Sequence, residues 1–379
     1  MFARYFKEKL LLKENTPSPH VGLLSDMRMM EDCRIAVHLA ADYMENPFHV
    51  GMWARHLDDS GVPWYVICRE KRHMETLRGQ GVRGVWAKDA GQLQMAMAPG
   101  VRAVLYANNS HKNIELLRRF PHLIHVQMLH GDSDKPTSFS PVTRNFDRIF
   151  VSGQLGQDRY AMNGVKVPPE AFVHVGRPQV KDRSIGPRIA EWRKNPVIGY
   201  MPTWFGSHGD TMLSSLDRAK DIIPIIMRHI PNAKILFKPH PLIYKDPQWK
   251  QHEEAVNSVI RNAGVVVIDK DADANSVYEQ SDILVSDISS TMIDYLYSDR
   301  PMLVIPPMGF SSDQAWKYPS LGGSYLVEAD LSNLGELLLD AAGQDSLAEQ
   351  RKVMRIYAFG DDDRPADARF IEEIRKLAA

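Results

Sequence analysis

The chain has 379 residues, a length that favours two domains over one. Its formal net charge of −1 argues against a protein that binds nucleic acid through bulk positive charge, and its 44% hydrophobic and 25% charged residues are ordinary for a globular protein. No apolar run reaches the length of a membrane span, and the N-terminal stretch lacks the apolar core and cleavage site of a signal peptide. We therefore predict a cytoplasmic protein.

The first fifteen residues, MFARYFKEKLLLKEN, are locally basic although the whole chain is not. Helical spacing places Phe2, Phe6 and Leu10 in one row. Two interpretations are open: a terminal helix that docks on its own domain, or an amphipathic helix that lies weakly in the headgroup region of an anionic membrane.

Short apolar segments then alternate with amphipathic segments of helix length. The strand candidates are CRIAVHLA, PWYVICRE, VRGVWAKD, VRAVLYANN, LIHVQMLHG, DRIFVSG, FVHVGRP, PVIGYMPT, AKILFKPHP, GVVVID, ILVSD, PMLVIPP and SYLVEA. Continuous apolar strands separated by helices indicate parallel sheets covered on both faces. The pattern predicts an α/β protein with two doubly wound Rossmann-like domains facing a cleft: residues 1–180, a linker over 181–196, and residues 197–379.

The two cysteines, Cys33 and Cys68, lie inside strand candidates and have no metal-type spacing. We expect buried free thiols rather than a disulfide framework. A P-loop, a Rossmann glycine fingerprint and clustered carboxylates with metal spacing are all missing from the sequence, so no cofactor and no metal is expected.

In the first domain, one polar motif follows a strand candidate. The segment QMLHGDSDK places His130, Gly131 and Asp132 directly after an apolar run. A single histidine in such a place is more often structural than catalytic, but imidazole is the side chain best suited to proton transfer near neutral pH.

In the second domain, two strand candidates end in polar motifs. YMPTWFG places Thr203 after the first strand, and ILFKPHPL places Lys238, His240 and Pro241 after the next one. The Pro-His-Pro turn is rigid because each proline fixes its own φ and restricts the residue before it. That rigidity suits a structural turn and a positioned catalytic histidine equally well, and Lys238 could neutralise phosphate or be solvated.

A third polar motif ends the strand ILVSD. Asp287, Ser289, Ser290 and Thr291 stand there, before an amphipathic run begins. Such residues are the usual N-caps of a helix. A helix N-terminus also attracts phosphate, and hydroxyls beside its amides would add donors. Together the strand-end motifs of the chain favour a phosphate-containing donor.

The motifs, in this order, resemble the CDP-glycerol glycerophosphotransferase family, the teichoic acid primases and polymerases of bacterial cell-wall synthesis. Its HGT motif is similar to the segment that begins at His130, its Y-x-P-T element to residues 200–203, and its HP element to His240-Pro241. Its signature D-x-x-x-S-D-Y-S-S, followed by D and RP, is matched by Asp282, Ser286, Asp287, Ser289, Ser290, Asp294, Arg300 and Pro301. The resemblance runs from about residue 101 to the C-terminus.

The chain departs from the family pattern at three places. Asp132-Ser133 replaces the usual Thr-Pro, Ile288 replaces an aromatic residue, and Trp204-Phe205 stands where a basic residue often follows Y-x-P-T. These departures bear on the identity of donor and acceptor more than on the fold.

The resemblance implies a glycosyltransferase-B-type fold and transfer of glycerol phosphate, or a similar polyol phosphate, from a CDP-linked donor to an acceptor hydroxyl. It implies that His130 is the general base and that His240 stabilises or protonates the leaving phosphate. The implied donor-phosphate ligands are Lys238, Ser289, Ser290 and Thr291. The implied supporting residues are Gly131, Asp132, Thr203, Pro241, Asp287 and Asp294.

The resemblance also implies a lipid-linked or polymer acceptor, and hence a place at the inner face of the cell membrane. Two other functions stay open. One is a nucleotide-sugar glycosyltransferase of the same fold, making a polysaccharide or glycolipid. The other is a non-catalytic scaffold that binds a partner or lipid carrier; retention of both histidines argues against it.

Overall fold

The computed structural model of the chain describes residues 23, 26–40, 47–180, 191–206, 212–361 and 364–379. Residues 1–15, with their two open interpretations of a docked or a membrane-surface helix, lie outside the described residues, as does most of the predicted linker, residues 181–190. Among the helices that the structure describes, none is both long and apolar enough to cross a membrane.

The first half of the chain contributes a seven-stranded parallel sheet. Its strands are β1 (Ile35–Leu39), β2 (Trp64–Cys68), β3 (Gly84–Trp86), β4 (Ala103–Tyr106), β5 (Ile124–Gln127), β6 (Arg148–Val151) and β7 (Phe172–His174), in the spatial order β3-β2-β1-β4-β5-β6-β7. The helices between them are α1 (Pro47–Asp59), α2 (Lys71–Gly79), α3 (Ala90–Met95), α4 (Asn113–Arg119) and α5 (Gln154–Met162). The residues of β1 and β2 are buried throughout, as expected for central parallel strands.

The second half contributes a six-stranded parallel sheet. Its strands are β8 (Val197–Met201), β9 (Lys234–Phe237), β10 (Val266–Val267), β11 (Ile283–Ser286), β12 (Met302–Val304) and β13 (Tyr325–Leu326), in the order β10-β9-β8-β11-β12-β13. Its helices are α6 (Ala219–His229), α7 (Trp249–Asn262), α8 (Asn275–Gln280), α9 (Ser290–Tyr295), α10 (Leu334–Ala342), α11 (Ala348–Phe359) and α12 (Ala366–Ala378).

The predicted fold class is confirmed. Each apolar segment proposed as a strand contains one, and both sheets are parallel. Cys33 and Cys68 are buried and free, as expected from their place in strand candidates. The apolar runs predicted the strands correctly because both faces of each sheet are covered. Such strands are apolar throughout and do not alternate between apolar and polar residues.

The chain divides into two compact units. Unit 1 comprises Met1–His130, Val142–Phe150 and Ile371–Ala379, and unit 2 comprises Gly131–Pro141 and Val151–Phe370. The chain thus passes from unit 1 to unit 2 directly after His130. The domain boundaries drawn from the sequence stay a prediction.

Candidate active site

Three neighbouring strands carry the predicted site residues of unit 2. β9, β8 and β11 are adjacent and parallel, so their carboxyl ends open on one edge of the sheet. Thr203 follows β8, Lys238 and His240 follow β9, and the segment 287–291 follows β11. In parallel α/β sheets this edge is where ligands bind. The sheet therefore brings the three motifs of unit 2 to one side.

Asp287 joins the ends of β8 and β11. Its side chain is fully buried and accepts hydrogen bonds from the Thr203 amide at 2.9 and 3.1 Å and from the Ser215 amide at 3.0 Å. The Ser215 hydroxyl donates to the same carboxylate at 3.2 Å. Next to it, the Ser286 hydroxyl donates to the Met201 carbonyl at 2.8 Å. Asp287 is therefore the residue that fixes the loop after β8 against the end of β11.

Burial raises the pKa of the Asp287 carboxyl from 3.8 to about 6, against the opposing effect of the Ser215 amide, the Lys135 charge and the Thr203 amide. The raised pKa means that the folded protein holds this proton more tightly than the unfolded chain does. By linkage, the stabilising contribution is complete at low pH and is lost as the pH rises to about 6.

The corresponding prediction concerns stability against pH. Asp287→Asn keeps the shape and one acceptor oxygen but cannot ionise. The free energy of unfolding of the native protein, relative to this variant, should fall by about 3 kcal/mol between about pH 4 and pH 6 and then stay level. Urea unfolding at several pH values measures it, with the exposed Asp221→Asn as the matched control. A difference that rises with pH would show that the hydrogen bonds outweigh burial.

Ser289 occupies the N-cap position of helix α9, but its hydroxyl makes no capping hydrogen bond. It donates instead to the Asp287 carbonyl, at 3.3 Å. The capping explanation for this hydroxyl is therefore wrong. Ser290 is half-buried, and the backbone of Gly131 lies against it: a Cβ on Gly131 would be 3.6 Å from the Ser290 Cβ. Thr291 hydrogen-bonds to the Tyr278 side chain.

Lys238 is buried, and its Nζ donates to the Lys270 carbonyl at 3.0 Å. Burial lowers the pKa of this ammonium, while Asp271, Asp269 and Asp273 act to raise it. The charge of Lys238 is thus already offset by an acidic loop of the same unit. Lys238 thus has partners inside its own unit, and the role at the donor phosphate that the resemblance implies for it stays a prediction.

His240 is half-buried in the turn between Pro239 and Pro241. Its Nδ1 accepts a hydrogen bond from the Leu242 amide at 3.2 Å. In the neutral ring the proton is therefore on Nε2, because the nitrogen that accepts an N–H must carry the lone pair. The indole of Trp204 lies nearby, with ring centroids 6.4 Å apart and planes 27° apart. The geometry presents Nε2–H as a donor.

His130, in unit 1, has the opposite arrangement. Its Nδ1 lies 3.0 Å from the Ala107 carbonyl, which can only accept, so Nδ1 carries the proton and Nε2 the lone pair. The ring stacks on His49, with centroids 3.5 Å apart and planes 3° apart. The preceding residue, Leu129, has a left-handed φ of 54°, and its carbonyl accepts from the Trp53 indole at 2.7 Å. His130 is therefore held with a basic nitrogen on Nε2.

Asp132, which replaces the family's threonine, forms a buried ion pair. Arg159 is 1% exposed and binds Asp132 through its terminal nitrogen and Asp134 through Nε at 2.6 Å. Burial lowers the pKa of this guanidinium, but the two carboxylates outweigh burial and raise it. Asp134 also accepts from the amide and hydroxyl of Ser320. Asp132 thus anchors the loop that follows His130.

Asp294 is held in the same way. Arg177 binds it through two parallel hydrogen bonds, Nε to Oδ1 at 3.0 Å and Nη2 to Oδ2 at 3.2 Å. Burial raises the pKa of the Asp294 carboxyl, and Arg177 opposes this. In the same signature, Arg300 donates to the Glu279 and Ser281 carbonyls. These signature residues form the internal frame of unit 2.

Sequence reasoning missed Lys135. This residue is half-buried in the loop after His130, and its Nζ lies 3.4 Å from the Thr203 hydroxyl. Burial lowers the pKa of its ammonium, and Asp287 acts to raise it. No periodicity or motif in the sequence marks Lys135, because its partners are about 70 and 150 residues away along the chain.

Within the residues that the structure describes, no group of three or more His, Cys, Asp or Glu side chains could hold a metal ion.

The two parallel sheets of seven and six strands have a glycosyltransferase-B-like α/β fold. Residues 179–307 match the model of the CDP-glycerol:poly(glycerophosphate) glycerophosphotransferase family. Over this segment the resemblance drawn from the motifs is confirmed. A comparison with curated proteins gives no match.

Solved structures with the same fold span almost the whole chain. The wall teichoic acid polymerase TagF, in a variant soaked with CDPG, is 14% identical, with a TM-score of 0.57, over 100% of this chain and 96% of that one. MurG from Acinetobacter baumannii is 12% identical, with a TM-score of 0.58, over 90% and 99%. A glycosyltransferase from Rickettsia africae is 12% identical, with a TM-score of 0.54, over 92% and 98%. At these identities the likeness is one of fold.

Proposed function

We propose that the protein transfers glycerol phosphate, or a closely similar polyol phosphate, from a CDP-linked donor to an acceptor hydroxyl. The observation that carries this proposal is the family match over residues 179–307, because it includes the strand-end residues Thr203, Lys238, His240 and Asp287. The similarity in fold to a TagF variant soaked with CDPG supports a CDP-linked donor.

In the proposed reaction, the acceptor oxygen attacks the β-phosphorus of the donor. An O–P bond forms, the bond between the β-phosphorus and the bridging oxygen breaks, and CMP leaves with the electron pair. The acceptor hydroxyl loses one proton and the phosphodiester product gains none. Catalysis of such a step requires a base on the acceptor and stabilisation of charge on the leaving phosphate.

His130 is the proposed base. The hydrogen bond from its Nδ1 to the Ala107 carbonyl leaves the lone pair on Nε2, and proton uptake at Nε2 would give an imidazolium still bonded to that carbonyl. The stack on His49 and the Trp53–Leu129 hydrogen bond limit the orientation of the ring.

His240 is the proposed donor to the leaving phosphate. The Leu242 amide donates to its Nδ1, so the neutral ring carries its proton on Nε2, and we assign that proton to a phosphate oxygen of the donor. The flanking prolines hold the backbone, which reduces the cost of orienting the ring on binding. Ser289 and Ser290 follow β11, at the same edge of the sheet with β8 between them and β9, and remain proposed ligands of the donor diphosphate.

The test is a donor panel. Purified protein is incubated with CDP-glycerol, CDP-ribitol, UDP-glucose, UDP-N-acetylglucosamine and CMP-sialic acid, and the released nucleotide is measured with and without a lipid-linked acceptor. We expect release of CMP, and only from the CDP-polyol donors of the panel. Release of UDP, or no release from any donor, would contradict the proposal.

A nucleotide-sugar glycosyltransferase is the second candidate. The observation in its favour is that a glycosyltransferase and MurG match the fold with TM-scores of 0.54 and 0.58, as well as TagF does. The family match over residues 179–307 supports polyol-phosphate transfer over this second candidate. The same donor panel distinguishes them by the nucleotide released.

A further inference from the structure

Lys135 is a half-buried cation without a salt-bridge partner among the described residues. The only hydrogen bond that its side chain makes to those residues is the one to Thr203 Oγ1, which is long at 3.4 Å. An ammonium has three donors, and removing it partly from water costs free energy when they are not used. A bound ligand that accepts from these donors would offset that cost.

The place of Lys135 is the strand edge already described. Thr203, which accepts from its Nζ, donates its own amide to Asp287, so Lys135 lies over the ends of β8 and β11. A few residues earlier in the same loop, Gly131 lies against Ser290. Asp134, in the same loop, accepts hydrogen bonds from Arg159 and Ser320. These buried contacts fix the backbone of the loop, and with it the position of Lys135.

Lys238 provides the comparison. In unit 2, Lys238 is buried and Lys135 is half-buried, and burial lowers the pKa of both ammonium groups. Lys238, however, donates to the Lys270 carbonyl at 3.0 Å and is balanced by Asp269, Asp271 and Asp273. The carboxylate that acts on the charge of Lys135 is that of Asp287. This carboxylate already accepts hydrogen bonds from two amides and a hydroxyl. Of these two lysines, Lys135 is therefore the one whose charge is less fully compensated by the described residues.

We propose that Lys135, rather than Lys238, is the cation that binds the diphosphate of the nucleotide donor. The assignment rests on the proposed function for the nature of the donor, but the chemistry it requires is only a diphosphate. The ammonium would donate charge-assisted hydrogen bonds to phosphate oxygens. The Thr203 hydroxyl would keep the ammonium oriented.

The test is calorimetric titration with cytidine, CMP, CDP, UDP and inorganic pyrophosphate. For the nucleoside diphosphate that the native protein binds, Lys135→Met should weaken binding about 10- to 100-fold, and Lys238→Met by much less. Binding of cytidine, which has no phosphate, should be the same in all proteins. The matched surface control is Lys194→Met, whose partner Glu191 is exposed.

A second readout compares proton uptake on binding between the native protein and a variant. Burial lowers the pKa of the Lys135 ammonium and a bound diphosphate would raise it, so binding should take up protons at pH values between the two pKa values. Titrations in two buffers of different ionisation enthalpy measure this uptake, and it should be missing from Lys135→Met or, if that variant does not fold, from Lys135→Gln.

The outcomes separate the two proposals. If the native protein binds UDP tightly and not CDP, and Lys135→Met weakens the binding of UDP, the proposed donor is contradicted and the role of Lys135 is supported. Unchanged diphosphate affinity in Lys135→Met, an equal loss for cytidine, no proton uptake by the native protein, or a larger effect at Lys238→Met would overturn the role of Lys135. Native protein that binds neither diphosphates nor pyrophosphate would overturn both.

Discussion

Replacement of His130 or of His240 by alanine should lower turnover with a CDP-polyol donor by about 10²- to 10⁴-fold, the usual contribution of a general acid or base. The two rings present opposite atoms: Nε2 of His130 carries the lone pair, and Nε2 of His240 carries the proton. The two variants should therefore remove different functions, the proton acceptor in His130→Ala and the proton donor in His240→Ala.

The control for both variants is His229→Ala. His229 is also bound through Nδ1 to a carbonyl, that of Ile225 at 2.9 Å, but lies in helix α6 outside the candidate site. Circular dichroism and thermal unfolding establish that each variant is folded. Near-native turnover in a folded His130→Ala or His240→Ala protein would remove that residue from the mechanism.

The sheets could be predicted from the sequence because their strands are buried on both faces. Segments such as residues 35–39 and 64–68 are apolar almost without interruption, and each became a central strand. The spatial order of the strands could not be predicted in the same way. It depends on which crossovers pack together, and apolar runs of similar composition do not encode their neighbours.

The site was predicted in part, and the division has a physical cause. His240 and the serines after β11 could be found because strand ends are marked by local changes from apolar to polar residues. Lys135 and Arg159 could not, because their contacts join segments that are distant along the chain: Lys135 contacts Thr203, and Arg159 binds Asp132 and Asp134. A lysine and an arginine in polar stretches look solvent-exposed in sequence.

The departures from the family pattern are explained by these same contacts. Ile288, in place of an aromatic residue, is fully buried in the core formed with Leu284 and Met292. Asp132, in place of threonine, is bound by Arg159. Phe205, in the pair that stands where a basic residue is usual, is buried in the core of the second sheet. Each of these side chains is engaged inside its own unit.

The largest loss of stability is expected at Arg159. Arg159→Met removes the guanidinium and leaves Asp132 and Asp134 as buried carboxylates without their cation. Breaking a buried ion pair on one side typically costs about 3–5 kcal/mol, because the remaining charge is neither solvated nor paired. Urea unfolding monitored by tryptophan fluorescence measures the loss. The control is Arg55→Met, since Arg55 forms an exposed salt bridge with Asp59 at 3.6 Å, worth about 0–1 kcal/mol.

The same cluster allows a compensation experiment. Adding Asp132→Asn and Asp134→Asn to Arg159→Met removes the two stranded charges, while the side-chain amide oxygen introduced at position 134 can still accept from Ser320. This triple variant should recover a large part of the lost stability, because the penalty comes from unpaired charge and not from the lost volume of the guanidinium. Equal destabilisation in the single and triple variants would mean that packing around Arg159, rather than its charge, holds the loop after His130.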